Sequence, residues 1–376
     1  MCSTEYIIED GWVFNRDGKP LECKVCKCWE FYEYRGYERH PITLEGKKKL
    51  PVKGYQCKNC RKTVVQRFDF IGKSKQYAKD VQRVTLSGSI DDMNSTRHVS
   101  YRTCRDYDCH PSAATVRYWT NQFGDMAEVI FRTEVVPYMP GLCKKGTIHL
   151  DEIYTKRRGK TPSFTVAMTH IGYLCLGGHF SDTATADDVA AVLDKLDWML
   201  LDPARFITDG SDIYPALLRE RYPHAEHISC FFHKLRTISR WEKKLEKTKN
   251  RFERMKILRG IITRCKDLLH QIWDTPNGRA TNNRIERFFK PIRRLFHQIV
   301  SFFSVDCANN FLDLVLFHWN FHKFERGQYK GKSPVEVLGF DTKGQDWLYF
   351  LGIPDRKSLR DSINSLSIGF SQLFAP

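Results

Sequence analysis

The stretch from residue 146 to residue 229 alternates short apolar runs with amphipathic segments, and this order constrains the fold more than any other feature of the chain. The runs GTIHLDEIY, SFTVAMTH and GYLCLGGHF are bounded by turn-like or charged links, so they predict three strands of an antiparallel meander. Next come a predicted amphipathic helix, TADDVAAVLDKLDWML, capped by Thr185, then a strand, RFIT, a helix, SDIYPALLRERY, and a strand, AEHIS. The succession predicts a mixed α/β domain with one central sheet.

Three acidic residues lie in or beside these elements. Asp151 lies in the first apolar run, Asp209 follows the fourth, and Glu286 belongs to the helix-like ATNNRIERFFKPIRR. Gly210 suits a turn at the carboxyl end of a strand, where open α/β sheets bind ligands. Three carboxylates in one pocket repel one another unless cations lie between them, so the arrangement predicts bound Mg²⁺ or Mn²⁺. Two such ions would activate an attacking oxygen and stabilise the leaving oxygen of a phosphodiester.

The segments IHLDEIY, FITDGSDIY and TNNRIERFFK, in this order, resemble the DDE transposases of insertion sequences, whose catalytic domain has an RNase H-like fold. Cys230 and His233 have the spacing of the Cys-x-x-His signature of Mutator-like and related bacterial groups, and GKSPVEVLGF resembles the end of many such enzymes. The resemblance covers about residues 140 to 340. It implies that Asp151, Asp209 and Glu286 are the catalytic metal ligands. We interpret Cys230 and His233 as structural support for the last strand and helix, and the alternative is a metal or catalytic role for them.

The interval between Asp209 and Glu286 is longer than compact forms of this fold allow, so the resemblance requires an insertion. Residues from about 233 to 272 are basic with dispersed apolar side chains, which predicts that this insertion is helical. It would be either a solvated hairpin or a clamp on transposon-end DNA.

The helix around Glu286 is predicted to have two distinct faces, with a kink or break at Pro291. The buried stripe comprises Ile285, Phe288, Phe289 and Ile292. The polar face would hold Glu286 beside groups that bind phosphates, namely Asn282, Asn283, Lys290 and Arg293, with Arg294 next to them.

Composition agrees with a nucleic-acid partner, since 60 Lys and Arg against 44 Asp and Glu give a net charge of +16. The alternative is a basic protein whose charge serves only solubility. Lys156, Arg157 and Arg158 follow the first strand and are expected to contact DNA, unless they form a solvated charge run.

A helix-turn-helix is predicted between residues 94 and 124, with its second helix capped by Ser112. Val116, Trp119, Thr120 and Phe123 form the inner face of that helix. Thr115 and Arg117 would then face the major groove of DNA. The alternative is a helical linker packed on its neighbours.

Two Cys-x-x-Cys pairs near the start, Cys23 with Cys26 and Cys57 with Cys60, predict a zinc ribbon that holds one structural Zn²⁺. Such a short segment buries too little apolar surface to fold without the metal. Cys28 could replace Cys26 as a ligand, and free or redox thiols are the alternative to zinc. A second group, Cys104, Cys109 and His110, lacks a fourth ligand and is not expected to bind metal.

The predicted domains are a zinc ribbon (1–70), a helix-turn-helix segment (71–135), an RNase H-like catalytic domain (140–330) and a C-terminal tail (331–376). No apolar run reaches the roughly 18 residues of a membrane span, and the start lacks signal-peptide features. We therefore expect a protein that does not enter membranes. It would be cytoplasmic, and nucleoid-associated in a prokaryote, or nuclear in a eukaryote.

The expected function is that of a DNA transposase. The resemblance implies that metal-activated water cuts the transposon end and that the freed 3′-hydroxyl attacks target DNA. The partners would be double-stranded DNA, both terminal inverted repeats and target, and further copies of the chain in a homodimer or larger homo-oligomer. Two other functions stay open, namely a metal-dependent nuclease of the same fold and a domesticated DNA-binding regulator.

Overall fold

The computed structural model describes residues 6–15, 17–154, 162–183, 185–274, 280–298 and 302–373. The chain divides into two compact units. The first extends to Trp119 and includes the chain from Leu348 onward, and the second comprises Thr120–Trp347. Among the helices that are described, none combines the length and apolarity needed to cross a membrane.

The first unit begins with short antiparallel strands. They are β1 (Tyr6–Glu9), β2 (Trp12–Asn15), β3 (Pro20–Glu22), β4 (Phe31–Arg39), β5 (Ile42–Thr43), β6 (Gly46–Lys47), β7 (Leu50–Cys57) and β8 (Thr63–Val65). They form the sheets β1-β2-β3 and β4-β7-β8 and the hairpin β5-β6. One small cluster of buried side chains, including Trp12, Phe14, Tyr55 and Val64, joins the two three-stranded sheets.

Three helices follow, α1 (Lys79–Ile90), α2 (Thr96–Tyr107) and α3 (Ala113–Ile130). The hydroxyl of Ser112 accepts the N–H of Thr115 at 3.1 Å, so the predicted cap of α3 is confirmed. Asp108 closes α2 with a φ of 48°, in the left-handed region. The inner face predicted for α3 is also confirmed, since all its members are buried: Val116, Trp119, Thr120 and Phe123. The helix continues to Ile130, beyond the predicted segment, and a π-helical turn (Phe131–Val135) follows it.

The second unit contains the predicted central sheet. Its strands are β9 (Thr147–Tyr154), β10 (Ser163–Thr169), β11 (Cys175–Ser181), β12 (Arg205–Thr208) and β13 (Glu226–Ser229), in the order β11-β10-β9-β12-β13. β10 is antiparallel to β9 and β11, whereas β12 is parallel to β9 and β13. The meander and the mixed α/β character are therefore confirmed.

Helices cover both faces of this sheet. The helices of the second unit that follow β11 are α4 (Ala186–Trp198), α5 (Ile213–Arg221), α6 (Phe231–Lys247), α7 (Arg251–Asp274), α8 (Asn283–Gln298) and α9 (Val305–Phe321). A Cβ added at Gly177 of β11 would meet Lys195 of α4, and one added at Gly178 would meet Leu316 of α9. Adjacent strand residues project to opposite faces, so α4 and α9 lie on opposite faces of the sheet. The phenyl ring of Phe289 on α8 contacts Phe164 of β10, so α8 shares the face of α9.

The helices α6 and α7, which lie between β13 and α8 in the sequence, pack against each other. This confirms that the predicted insertion is helical. Ile257 of α7 is buried, and Arg264 of the same helix lies 4.0 Å from the ring centre of Trp241 on α6. The chain ends with α10 (Pro334–Val337), α11 (Trp347–Phe350) and α12 (Arg356–Leu373).

Candidate active site and cysteine cluster

Strand register brings Asp151 and Asp209 side by side. In the parallel pair of β9 and β12, Ile207 lies opposite His149. Two residues further along each strand stand Asp151 and Asp209, and neighbouring strands are about 4.8 Å apart. Paired residues project to the same face of a sheet, so both carboxylates reach one side, just beyond the point where the pairing of β12 with β9 ends.

Asp151 and its neighbour Glu152 project to opposite faces. Asp151 lies opposite Val166 of β10, two residues from Phe164, and so faces α8. Glu152 instead accepts the hydroxyl of Tyr214 on α5 at 2.7 Å and that of Tyr154 at 2.8 Å. Burial raises the pKa of the Glu152 carboxyl. The two carboxyls therefore lie on opposite faces, although Asp209 raises the pKa of both.

Asp151 is held in an environment that disfavours its negative charge. Its side chain is 5% exposed, and burial, with Asp209 and to a lesser extent Glu286 nearby, raises its pKa well above the usual range. One carboxylate oxygen accepts the backbone N–H of Glu152 at 2.9 Å. A cation beside these acids would reverse the electrostatic effect, so the donor set suits a divalent metal. The three carboxylates are nevertheless spread more widely than 4.8 Å as a group.

Glu286 lies in the first turn of α8, beside His233 of α6. Its Oε1 is 3.5 Å from Nε2 of His233 and 3.9 Å from the guanidinium of Arg236. Burial lowers the pKa of His233, against the influence of Asp209 and Glu286. Its Nδ1 is buried and has no hydrogen-bond partner within the part of the chain that the structure describes. His233 is thus a fourth polar group at the acidic site.

Cys230 has a different environment from His233. It precedes α6 as the N-cap residue, is 1% exposed, and its Sγ lies 3.2 Å from the backbone nitrogen of Asn282, which donates to it. Burial raises the pKa of its thiol, so the group is a neutral thiol at pH 7. These contacts agree with a supporting role for Cys230.

The predicted buried stripe of α8 is confirmed, since its four members are at most 1% exposed: Ile285, Phe288, Phe289 and Ile292. The basic residues of the opposite face, Lys290, Arg293 and Arg294, are exposed, as is Asn283. Asn282 was predicted to share that face, and this prediction is wrong because the residue is fully buried. Helical spacing does not apply to it, since α8 begins at Asn283.

The break predicted at Pro291 is also absent, because α8 runs through this residue. Proline removes the hydrogen bond to the carbonyl four residues earlier, here that of Arg287. Arg287 is exposed, so water can satisfy that carbonyl. The basic residues beyond Pro291 therefore continue the helix that carries Glu286.

The four predicted zinc ligands meet at one point. Among the residues that the structure describes, Cys23, Cys26, Cys57 and Cys60 are the one group of three or more metal-binding side chains within 4.8 Å of one another. The sulfurs of Cys23 and Cys60 are 3.5 Å apart, and those of Cys26 and Cys57 are 3.6 Å apart. A tetrahedral Zn²⁺ with bonds of about 2.3 Å separates its sulfurs by roughly 3.8 Å, so the residues fit the ion.

The two cysteine loops have the same backbone geometry. The N–H of Lys27 donates to the carbonyl of Cys23, and the N–H of Arg61 donates to that of Cys57, at 2.9 and 3.1 Å. Both Lys27 and Arg61 have a φ of 61°. Cys28 lies outside the cluster, where its sulfur accepts the N–H of Glu30 at 3.4 Å. The ambiguity between Cys26 and Cys28 is thereby resolved in favour of Cys26.

The other residues predicted to bind DNA are partly described. Arg117 is exposed on α3, whereas the hydroxyl of Thr115 lies 2.9 Å from that of Ser112 and belongs to the helix cap. Lys156, Arg157 and Arg158 lie outside the described residues. Among the described residues, Cys104, Cys109 and His110 do not form a metal-binding group.

No family model and no curated protein matches the sequence. Among solved structures, the chain is similar to the HTLV-2 integrase catalytic core domain in complex with magnesium, at 13% identity and a TM-score of 0.27, covering 53% of this chain and 99% of that one. The Drosophila P element transposase strand transfer complex has 12% identity and a TM-score of 0.31, covering 81% and 83%. The simian T-cell lymphotropic virus intasome in complex with PP2A regulatory subunit B56 gamma has 10% identity and a TM-score of 0.26, covering 54% and 57%.

Proposed function

We propose that the protein is a DDE transposase that cuts DNA at transposon ends and joins the freed ends to target DNA. The observation that carries the proposal is the convergence of Asp151, Asp209 and Glu286 from a central strand, the next parallel strand and a helix. Their order along the chain is that of the motifs that resemble these transposases. The mixed five-stranded sheet agrees with the RNase H-like fold that the resemblance implies.

Asp151 and Asp209 would hold metal between their parallel strands, and Glu286 would complete the site from α8. Two Mg²⁺ or Mn²⁺ ions bound there would activate the attacking oxygen and stabilise the leaving oxygen of the phosphodiester. In the cutting step, a water oxygen bonds to phosphorus and the bond to the 3′ oxygen breaks, which leaves a 3′-hydroxyl. In the joining step, this hydroxyl attacks a target phosphodiester, and the target's own 3′ oxygen leaves.

The exposed bases of α8 would bind the DNA phosphates near the acids. Lys290 and Arg293 follow Glu286 by four and seven residues, so the three share one side of the helix. Arg117 of α3 would read DNA as part of a helix-turn-helix, and the cysteine cluster would bind one structural Zn²⁺ in a ribbon. We further propose that the protein belongs to an insertion sequence related to the Mutator-like groups and acts as a homodimer or larger oligomer on DNA.

The test is a strand-transfer assay with the full-length protein, Mg²⁺, duplexes taken from the DNA that flanks the gene, and a target plasmid. Products in which a flanking end is joined to the plasmid support the transposase. Cut but unjoined products would favour a nuclease with the same site, and binding without cutting would favour a DNA-binding regulator. Either of the last two results would overturn the proposal.

Affinity for DNA is expected to fall steeply with salt, because each neutralised phosphate contributes about one unit to the slope of log K against log salt. Replacing Arg293 and Arg294 by Ala should lower this slope by about two and weaken binding of a cut transposon end more than of random duplex. Fluorescence anisotropy between 50 and 300 mM salt, roughly the range in which such contacts are lost, measures the salt slope and the affinity for each DNA.

The matched control replaces Lys357 and Arg360, which are exposed on α12, and removes the same charge from the chain. This variant should bind cut ends more tightly than the α8 variant does. Equal losses in the two variants would show that only net charge matters. A flat salt response of the unmodified protein would show that its basic composition does not serve DNA binding.

A further inference from the structure

Asn282 joins the strand that carries Asp151 to the helix that carries Glu286. Its Nδ2 donates to the carbonyl of Leu150 at 3.0 Å, immediately before Asp151. Its own carbonyl accepts the N–H of Glu286 at 3.1 Å, in the first turn of α8. The side chain is fully buried. A polar side chain buried to this degree is costly unless its hydrogen bonds are made, so the contacts hold Asn282 in place.

The remaining contacts fix the orientation of the amide. Because Nδ2 of Asn282 donates to the carbonyl of Leu150, the other amide atom, Oδ1, faces Nδ1 of His149 at 2.9 Å. Oδ1 therefore accepts a hydrogen bond from the N–H at Nδ1 of His149. Nε2 of His149 is then an acceptor, and it lies 3.0 Å from Nδ1 of His170, which donates. Each hydrogen bond in this chain therefore has one donor and one acceptor.

We propose that Asn282 is a positioning residue that sets Glu286 opposite Asp151 and so builds the metal site. The proposal rests on the proposed function. Asn282 has no direct part in the chemistry, because its side chain is fully buried and its amide groups are hydrogen-bonded to Leu150 and His149. Its effect passes through the backbone on both sides, since it bonds to the residue before Asp151 and caps the turn that holds Glu286. Groups that orient metal ligands commonly change metal affinity by about 10- to 100-fold when they are replaced.

Asn320 offers a matched control elsewhere in the same unit. It is 1% exposed, and its side chain accepts the N–H of Cys175 and donates to the carbonyl of Cys175, both at 2.8 Å. It thus ties α9 to the edge strand β11, away from the three acids. Asn282→Ala and Asn320→Ala each remove two buried side-chain hydrogen bonds, so both should lower the melting temperature.

Mn²⁺ binding to the full-length variants, measured by electron paramagnetic resonance without DNA, separates positioning from stability. We expect Asn282→Ala to bind Mn²⁺ about tenfold more weakly and to need about tenfold more Mg²⁺ for half-maximal cleavage. Asn320→Ala should bind and respond like the unmodified protein. Unchanged metal affinity in Asn282→Ala, or equal losses in both variants, would overturn the inference. Failure of the unmodified protein to bind Mn²⁺ would overturn the proposed function as well.

If Asn282→Ala does not fold, the same Mn²⁺ measurement on Asn282→Ser tests the inference. Serine keeps the backbone carbonyl that accepts the N–H of Glu286, but its side chain is too short to bridge Leu150 and His149. The expected result is again weaker Mn²⁺ binding at a measurable melting temperature. A folded Asn282→Ser protein with normal Mn²⁺ affinity would show that the two hydrogen bonds do not set the position of Glu286.

Discussion

Replacing any one of Asp151, Asp209 or Glu286 by its amide is expected to abolish the proposed DNA cleavage and strand transfer and to leave DNA binding intact or improved. The acids face one another closely enough for Asp209 and Glu286 to raise the pKa of Asp151. Removing one charge weakens metal binding, and it also lessens repulsion of the DNA phosphates. We expect losses of at least about 100-fold, comparable with the loss of one group that stabilises charge in a transition state. The measurement is the yield of joined products at saturating DNA.

Glu152→Gln is the matched control, because Glu152 adjoins Asp151 but binds Tyr214 and Tyr154 on the other face of the sheet. The carbonyl oxygen of the glutamine can still accept hydrogen bonds from the tyrosine hydroxyls. We expect strand transfer within about tenfold of the unmodified protein. Near-normal transfer by Glu286→Gln would mean that the third acid lies elsewhere. Loss of transfer in Glu152→Gln equal to that in Asp151→Asn would contradict the assignment of the two faces.

The sheet and its acids could be predicted because the information is local. Each strand is a short apolar run, so its existence and the alternation of its faces follow from a few neighbouring residues. Asp151 and Asp209 stand at such runs, and a parallel pairing brings them together. The same reasoning predicted the buried stripe of α8, where residues three and four apart share a face.

The position of Asn282 could not be predicted from local spacing. Its partners Leu150 and His149 are more than 130 residues away in the chain, and only the packing of α8 on β9 brings them near. One signal was available in hindsight, namely a histidine within the apolar run IHLDEIY, which needs a polar partner when it is buried. The contact between His233 and Glu286 depends in the same way on two helices that meet only in the folded chain.

The same limit applied to the choice between Cys26 and Cys28. Cys23 can be paired with Cys26, in Cys-x-x-Cys spacing, or with Cys28, two residues further along. Either pairing offers two thiols, so the sequence left both Cys26 and Cys28 as possible ligands. The geometry of the loop decides it. The N–H of Cys23 donates to the carbonyl of Cys28 at 2.8 Å, and Cys26 lies at the tip of the loop that these residues close. The sulfur of Cys26 then reaches Cys57, whereas that of Cys28 turns toward Glu30.

Loss of zinc is expected to unfold the cysteine-bearing sheets. Their buried cluster is small and includes two of the ligands, Cys23 and Cys57. The binding free energy of a structural Zn²⁺, about 10 to 16 kcal/mol, exceeds the roughly 3 to 5 kcal/mol that a small core supplies. Within the cluster, the backbone hydrogen bond of Cys28 contributes most to lowering the pKa of the Cys26 thiol, to about 6, whereas the pKa of the Cys60 thiol is raised.

Cys26→Ser and Cys28→Ser in the full-length protein test this directly, since they make the same chemical change two residues apart. Cys26→Ser should lose the stoichiometric zinc found by metal analysis and become sensitive to proteases within the first 65 or so residues, whereas Cys28→Ser should keep both the metal and its resistance. Under the proposed function, binding of transposon ends should weaken in Cys26→Ser more than cutting of nonspecific DNA, because none of Asp151, Asp209 and Glu286 lies in the cysteine-bearing sheets. Retention of zinc by Cys26→Ser together with its loss from Cys28→Ser would reverse the assignment of the ligand. A zinc-free protein with an unchanged protease pattern would show that the sheets fold without the ion.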